Sequence, residues 1–177
     1  MTVVTRFAPS PTGPLHLGHA YSAILAHDMA RAEGGRFLLR MEDTDLERCR
    51  PEFDTLIQED LRWLGLAWDG PIHRQSRHIA SYNTRLEALD GKGLLYPCSC
   101  TRADIRAALS APQEGVAFQV YPGTCRHRAP RERARRLATE RPAWRLDVAA
   151  ALAITGPLDW RDAWAGPQQA DPAAGGD

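Results

Sequence analysis

Lysine is almost absent from this chain. Lys92 stands alone, so 21 of the 22 basic side chains are arginine. No apolar run approaches the ~20 residues that a membrane-spanning helix requires, which excludes a helical membrane protein on this sequence. A secretory leader is not indicated either, because Arg6, Pro9, Pro11 and Pro14 interrupt any apolar stretch near the start. Excess charge of either sign is also lacking. With 22 basic and 22 acidic residues the formal net charge is zero, so no global field argues for a nucleic-acid partner. Cysteine is scarce, with four residues. Without a secretory signal these fit a reducing cytoplasm, where cysteines serve metals or catalysis more often than disulfides. The length of 177 residues allows one domain with a sizeable core and an insert.

What is present is unevenly placed. Between Arg40 and Asp69 lie nine acidic and four basic side chains, whereas Arg126 to Arg145 holds eight arginines and two glutamates. The second block is either a solvated helix face or a surface that tracks RNA phosphates.

The chain is organised around Arg6-Phe-Ala-Pro-Ser-Pro-Thr-Gly-Pro-Leu-His-Leu-Gly-His-Ala20. Val3-Val4 leads in as a short buried strand. Three prolines and Gly13 then forbid regular structure and force a stiff loop. Apolar periodicity resumes with Ile24, Leu25 and Met29, which predicts a helix after Gly18. A helix N-terminus offers free N–H groups and partial positive charge to phosphate. Gly18 lets a flat ring or a ribose approach the backbone, and His16 and His19 can donate to phosphate oxygens as charge develops. A plain pair of capping histidines in a Pro-rich loop is the competing account.

Gly34-Gly35 stops that helix, and Arg36–Met41 reads as a strand with Glu42-Asp-Thr-Asp45 at its carboxyl end, where ligands collect in open α/β sheets. Asp43 and Asp45 either order this loop or approach RNA. Pro51 starts a second helix whose stripe Phe53, Leu56, Ile57, Leu61 and Leu64 reads as core. A third helix is predicted from about Ser76 to Leu89, with Ile79, Tyr82, Leu86 and Leu89 inward and Ser76 as its N-cap. Pro130 to Thr139 reads as a short arginine-rich helix, and Ala143–Asp147 as a strand.

Cys98-Ser-Cys100 and Tyr121-Pro-Gly-Thr-Cys125 place three thiols close in sequence, which suggests tetrahedral zinc. Three buried reduced thiols are the alternative. Zinc requires a fourth ligand, and Tyr121, His127 and Cys49 are the candidates.

The ordered set Arg6-Phe-Ala-Pro-Ser-Pro-Thr-Gly, His16-Leu-Gly-His19 and Phe37-Leu-Leu-Arg-Met-Glu-Asp-Thr-Asp45 resembles the catalytic core of class I glutamyl-tRNA synthetases. The cysteine set with Tyr-Pro-Gly-Thr-Cys-Arg, and Arg48-Cys-Arg-Pro-Glu52, are similar to the glutamyl-queuosine tRNA(Asp) synthetase branch. The resemblance covers about residues 3 to 165. It implies an α/β fold: a class I synthetase Rossmann-type nucleotide-binding domain, incomplete at the C-terminus, with a small zinc-binding insert. On this reading residues 1–96 form the catalytic half, 97–128 the zinc insert, 129–165 a continuation of the catalytic domain and 166–177 a disordered tail. Arg6, Ala8, Ser10 and Glu42 fall on glutamate-binding positions. His16, Gly18 and His19 fall on ATP-binding positions, with the two histidines catalytic. Cys98, Cys100, Tyr121 and Cys125 fall on a structural zinc site, pinning a hairpin between Cys100 and Tyr121. The implied activity is ATP-dependent activation of L-glutamate with Mg2+ and Zn2+, then transfer to queuosine in tRNA(Asp). The expected location is cytoplasmic, and the expected state is a monomer when complete.

The family continues beyond this pattern with more sheet and a lysine-bearing K-M-S-K-S-like loop that is not found here. The alternatives are therefore a fragment of a glutamyl-tRNA synthetase or a non-catalytic, RNA-binding remnant. A half-built sheet leaves an unpaired edge, so marginal stability or self-association is expected.

Overall fold

The computed structural model describes residues 2–110, 123–140 and 142–170. The chain divides into two compact units, Met1–Tyr82 and Asn83–Asp177.

The first unit is a parallel three-stranded sheet, ordered β1 (Val4–Phe7), β2 (Arg36–Met41) and β3 (His73–Arg74). β1 pairs with β2 from Val4↔Arg36 to Phe7↔Leu39, and β2 pairs with β3 at Arg40↔His73 and Met41↔Arg74. Two crossover helices, α1 (Leu17–Ala32) and α2 (Pro51–Trp63), supply the connections that parallel pairing demands. Alternation along β2 is strict. Phe37, Leu39 and Met41 are buried, while Arg36, Leu38 and Arg40 are not. These three join Phe7, Ala23, Ala30, Ile57, Leu61 and Leu66 in one core. The expected α2 stripe is therefore seen, with Ile57 and Leu61 fully buried and Phe53, Leu56 and Leu64 half-buried. β1 has a hydrogen-bonded neighbour on one side only among the described residues.

Gly35 fixes the approach of β2 to the start of β1. Arg36 N–H donates to the Val3 carbonyl at 2.9 Å, and a Cβ on Gly35 would lie 2.2 Å from that same carbonyl oxygen. Backbone, not a flexible side chain, is in the way. Gly35→Ala is expected to destabilise the first unit by about 1–3 kcal/mol, read by denaturant melting. A change below the error of the melt would show that β1 shifts freely.

Three expectations for the third helix require correction. The third helix starts later than predicted. Gln75–His78 is a 3-10 turn, and α3 runs Ile79–Asp90. None of its residues is buried, and Ile79 and Leu86, expected inward, are exposed. Ser76 is not its N-cap; its hydroxyl and N–H go to Asp43 instead.

The second unit pairs β4 (Leu95–Cys98) antiparallel with β5 (Ala143–Leu146), from Leu95↔Leu146 to Cys98↔Ala143. Between them lie α4 (Arg102–Ser110) and α5 (Pro130–Thr139), so a helix follows Cys100 where a hairpin is expected. α6 (Val148–Thr155) is capped by Asp147, whose carboxylate accepts from Ala150 N–H at 3.0 Å. A hairpin of β6 (Leu158–Asp162) and β7 (Gly166–Ala170) closes the described chain. The first part of the expected disordered tail is thus strand β7, because Asp162 turns the chain by accepting from Trp164 and Ala165 N–H at 2.8 and 2.7 Å. Residues 171–177 lie outside the described residues. No helix among the described residues is long and apolar enough to cross a membrane.

Candidate functional site

Of the predicted site residues of the first unit, Arg6, Ala8, Ser10 and Glu42 lie in or just beyond the carboxyl ends of β1 and β2, whereas His16, Gly18 and His19 stand at the head of α1. Arg6 is in β1, and Ala8 to Ser10 continue from its end. Glu42 follows β2 directly, and its N–H donates to the Pro9 carbonyl at 2.9 Å. The two segments thus meet through one backbone bond. Arg6 is exposed and has no hydrogen bond or ion pair from its side chain among the described residues. A free guanidinium beside a strand end is suited to forking onto a carboxylate. Glu42 is not free. It forms an ion pair with Arg40, two residues back in β2. Arg40 stands inside the Phe37–Asp45 motif, but its pairing with Glu42 is visible only in the structure; its Nε is buried and carries no hydrogen bond.

His16 and His19 form a reciprocal cap on α1. His16 Nδ1 accepts from Gly18 N–H at 3.1 Å, and His19 Nδ1 accepts from His16 N–H at 3.3 Å. The rings stack with centroids 3.8 Å apart. Each neutral ring therefore carries its proton on Nε2, leaving two N–H donors at one helix start. Partial burial, then the neighbouring His16 ring, lowers the pKa of His19 below the ordinary 6.5. The capping account is seen, and it uses Nδ1 of both rings while leaving Nε2 unused by the caps.

Gly18 has a role here that its expected closeness to a nucleotide did not reveal. A Cβ at this position would meet His16 Cε1 at 3.0 Å and Nδ1 at 3.2 Å. Gly18→Ala is expected to push the imidazole off the helix end and to lose about 1 kcal/mol of capping. The checks are a melt and the ring nitrogen NMR shifts of His16. An unmoved Nδ1 resonance would contradict this.

The two acids after Glu42 order the loop. Asp43 Oδ1 accepts from Ser76 N–H at 2.8 Å and Oδ2 from Ser76 Oγ–H at 2.6 Å. Burial alone would raise the Asp43 pKa, but these two bonds, with Arg74 nearby, hold it below the usual carboxylate value. Asp45 accepts from Arg48 Nε at 2.6 Å. Because the native Asp43 pKa is lowered, its contribution is present above the unfolded value near 3.8 and fades as pH falls through the native one. Asp43→Asn should flatten the acid limb of the stability curve; an unchanged limb below pH ~4 would sink this assignment.

In the second unit Cys98, Cys100 and Cys125 bring their sulfurs within 4.8 Å of one another. Cys98 and Cys125 are buried and Cys100 is half-buried. The Cys100 and Cys125 sulfurs are 3.6 Å apart. A tetrahedral zinc with Zn–S of about 2.3 Å spaces its sulfurs by about 3.8 Å, so the donor set fits. Tyr121, the expected fourth ligand, lies outside the described residues. His127, of the same unit, does not join the cluster, and Cys49 belongs to the first unit, where its sulfur lies 3.8 Å from the Glu42 carbonyl.

The arginine block is mostly turned to local use. Arg128 is held charged by the Cys125 sulfur and by Glu132. Arg136 pairs with Glu132 and Glu140, Arg133 donates to the Arg126 carbonyl, and Arg126 lies over the Tyr96 ring at 6.0 Å. Arg131 and Arg135 on α5 stay exposed. Sequence alone offered a solvated face or an RNA surface, and much of the described block is engaged in local pairs.

Residues 2–170 match the family model of class I tRNA synthetases (E and Q), catalytic domain, and the chain belongs to that family. Within it, the chain is similar to curated proteins named glutamyl-Q tRNA(Asp) synthetase. The relative from Rhodobacter capsulatus is 53% identical over 152 residues, covering 84% of this chain and 55% of the relative. That from Nitratidesulfovibrio vulgaris is 44% identical over 182 residues, covering 97% and 55%. A crystal structure of a glutamate tRNA ligase from Elizabethkingia meningosepticum, in complex with its amino acid, superposes with a TM-score of 0.71 at 29% identity, over 96% of this chain and 36% of that one. The chain spans about half the length of the curated relatives it matches.

Proposed function

We propose that the first unit activates L-glutamate with ATP to form glutamyl-adenylate and pyrophosphate, as the first half of a transfer to queuosine in tRNA(Asp). The observation that carries this reading is the paired Nε2–H donors of His16 and His19 at the head of α1, beside the carboxyl end of a parallel sheet. Attack of a carboxylate oxygen on the α-phosphate, with loss of pyrophosphate, requires positioning and charge neutralisation. The two donors supply both. Arg6 holds the substrate carboxylate that does not react. Glu42 takes the ammonium, sharing its charge with Arg40. Ala8 and Ser10 line the loop between them, and Gly18 keeps the His16 ring seated.

Mg2+ on the phosphates would supply further charge neutralisation. Zinc, held by Cys98, Cys100 and Cys125 with Tyr121 as the fourth ligand, would supply cross-linking of the second unit. The donor set favours a structural over a catalytic role, since all three sulfurs are at least half-buried. The names of the relatives support glutamate and tRNA as substrates, and their shared branch favours this reading over a fragment of a glutamyl-tRNA synthetase.

The test is glutamate-dependent ATP–pyrophosphate exchange by the 177-residue chain, with zinc present and His16→Ala as control. Exchange that the substitution abolishes supports activation by this chain. No exchange from folded, zinc-loaded protein overturns it and leaves a binding remnant.

A further inference from the structure

Arg40 is none of the glutamate or ATP positions, yet the carboxylate of Glu42 rests on it. Its Nη2 donates to Glu42 Oε1. The second carboxylate oxygen, Oε2, accepts no hydrogen bond among the described residues.

The strand register puts Arg6 on the same side of the sheet as Arg40. Arg6 of β1 pairs with Leu38 of β2, and Leu38 and Arg40 are two residues apart, so the three side chains share one face. The opposite face carries Phe7, Phe37, Leu39 and Met41 into the core. Past the strand ends, the bond from Glu42 N–H to the Pro9 carbonyl at 2.9 Å ties the Glu42 segment to the loop that continues from Arg6. An arginine and a glutamate set to receive the two ends of a zwitterion are complementary to each other as well as to the ligand. Left alone, they close on one another and shut the site. In the structure they do not pair: Glu42 goes to Arg40, and the Arg6 side chain stays open.

We propose that Arg40 is a positioning residue of this amino-acid site: it holds Glu42 off Arg6, so that both charges stay open to the ammonium and the carboxylate of one zwitterion. The inference rests on the reading that Arg6 and Glu42 receive glutamate.

Three observations support it. The first is that Glu42 is the anion left for Arg40. Asp43 gives both oxygens to Ser76, and Asp54 is forked by Arg74 at 3.1 and 2.8 Å. The second is the wall behind Arg40. His73 of β3 is its register partner. That ring is itself fixed, with Nε2 3.1 Å from the Tyr82 hydroxyl and a stack on His78 with centroids 4.1 Å apart. Burial, then the His78 ring, then the Arg40 charge lower the His73 pKa below 6.5, against the pull of Asp43. A neutral ring at Arg40's back adds no second positive charge there. The third is the form of the contact. One terminal nitrogen makes it, and Arg40 Nε is buried without a hydrogen bond. Charge and reach matter here, and the bidentate fork does not.

The experiment follows the Arg6 guanidinium in the 177-residue chain. Its Nε–H resonance in proton–nitrogen NMR spectra is assigned by its disappearance in Arg6→Lys. Arg40→Gln should shift that resonance and slow its exchange with water, because Glu42 closes on Arg6. Adding Glu42→Gln should return the resonance to its wild-type position. Affinity for L-glutamate, read by isothermal titration calorimetry, should fall roughly tenfold in Arg40→Gln. Arg40→Lys keeps the charge and should keep the wild-type resonance, with affinity within about threefold of wild type. Circular dichroism melts confirm that each variant is folded, and Arg40→Met replaces Arg40→Gln if the latter does not melt cooperatively. The proposal is overturned by an Arg6 resonance that does not move in the folded uncharged variant, by an unchanged glutamate affinity there, or by an Arg40→Lys chain that loses as much as Arg40→Gln. A folded wild-type chain that binds no L-glutamate overturns the amino-acid reading instead, and the Arg6 resonance still decides whether Arg40 holds Glu42 off.

Discussion

Cys125→Ser is expected to unfold the second unit. The Cys125 side chain is fully buried, its sulfur is 3.6 Å from that of Cys100, and Arg128 and Glu132 are arranged behind it. Among the described residues the only further core hydrophobics of this unit are Leu94 and Leu95. The buried cluster here is Tyr96, Cys98 and Cys125, with Cys100 and Ile105 packed on it, while Trp144, Leu146, Ile154, Trp160 and Trp164 are exposed. A core this small contributes little burial energy. Structural zinc contributes roughly 10–16 kcal/mol in small zinc domains, so removing one of three thiolates should cost on the order of 5 kcal/mol or more. The same loss should follow addition of a chelator to the unmodified chain. Cobalt substitution gives the direct readout: a thiolate charge-transfer band in the parent, diminished in the variant. A chain that melts identically with and without chelator, and shows no such band, has three reduced thiols and no metal.

The second large effect is on chemistry. His16→Ala removes one of two Nε2–H donors and also the cap on Gly18 N–H. Loss of one positioned donor to a developing charge typically costs 10²–10³ in rate, whereas loss of the cap costs only about 1 kcal/mol of stability. Pyrophosphate exchange should therefore fall at least a hundredfold while the melt moves by a few degrees. A rate loss matched by a proportionate loss of folded protein would mean that His16 is only a cap. Acid should act through its partner. The native pKa of His19 lies below 6.5, so its neutral ring stabilises the folded state fully above that value. As pH falls from 6.5 through the lowered native pKa, the ring must take up a proton against its surroundings and the contribution is lost. His19→Gln should remove this dependence, and a stability curve with the same slope between pH 6.5 and 5 would refute it.

The site was legible where chemistry is written into neighbouring residues. Prolines, Gly18 and two histidines announce a stiff loop and a helix head regardless of the rest of the chain. The α2 stripe and the Arg36–Met41 strand are likewise local patterns, and both are seen. What stayed hidden depends on partners far along the chain. Ser76 looked like a cap because its sequence neighbours begin a helix, but the carboxylate of Asp43, 33 residues away, outbids that role. The arginine block could be read as a solvated face or as an RNA surface because composition carries no direction. Glu132 and Glu140, each one helical turn from an arginine, turn much of it onto itself. α3 lost its predicted inward face because a periodic stripe says which residues align and not whether anything covers them. Gly35 gave no signal beyond a helix stop; only the Val3 carbonyl beside it shows the need for a missing Cβ.

The β4–β5 pairing has a consequence for how the second unit comes to be folded. Cys98 faces Ala143 across that ladder, so the two strands must find each other across the whole span that holds the cysteines and α5. Such a search is slow, because chain entropy is surrendered before any ladder bond forms. Joining Cys100 to Cys125, 25 residues apart, takes up much of that span in a shorter, cheaper closure. Metal capture would then act as a folding nucleus as well as a clasp, and refolding of this unit should accelerate with free zinc concentration until capture no longer limits the rate.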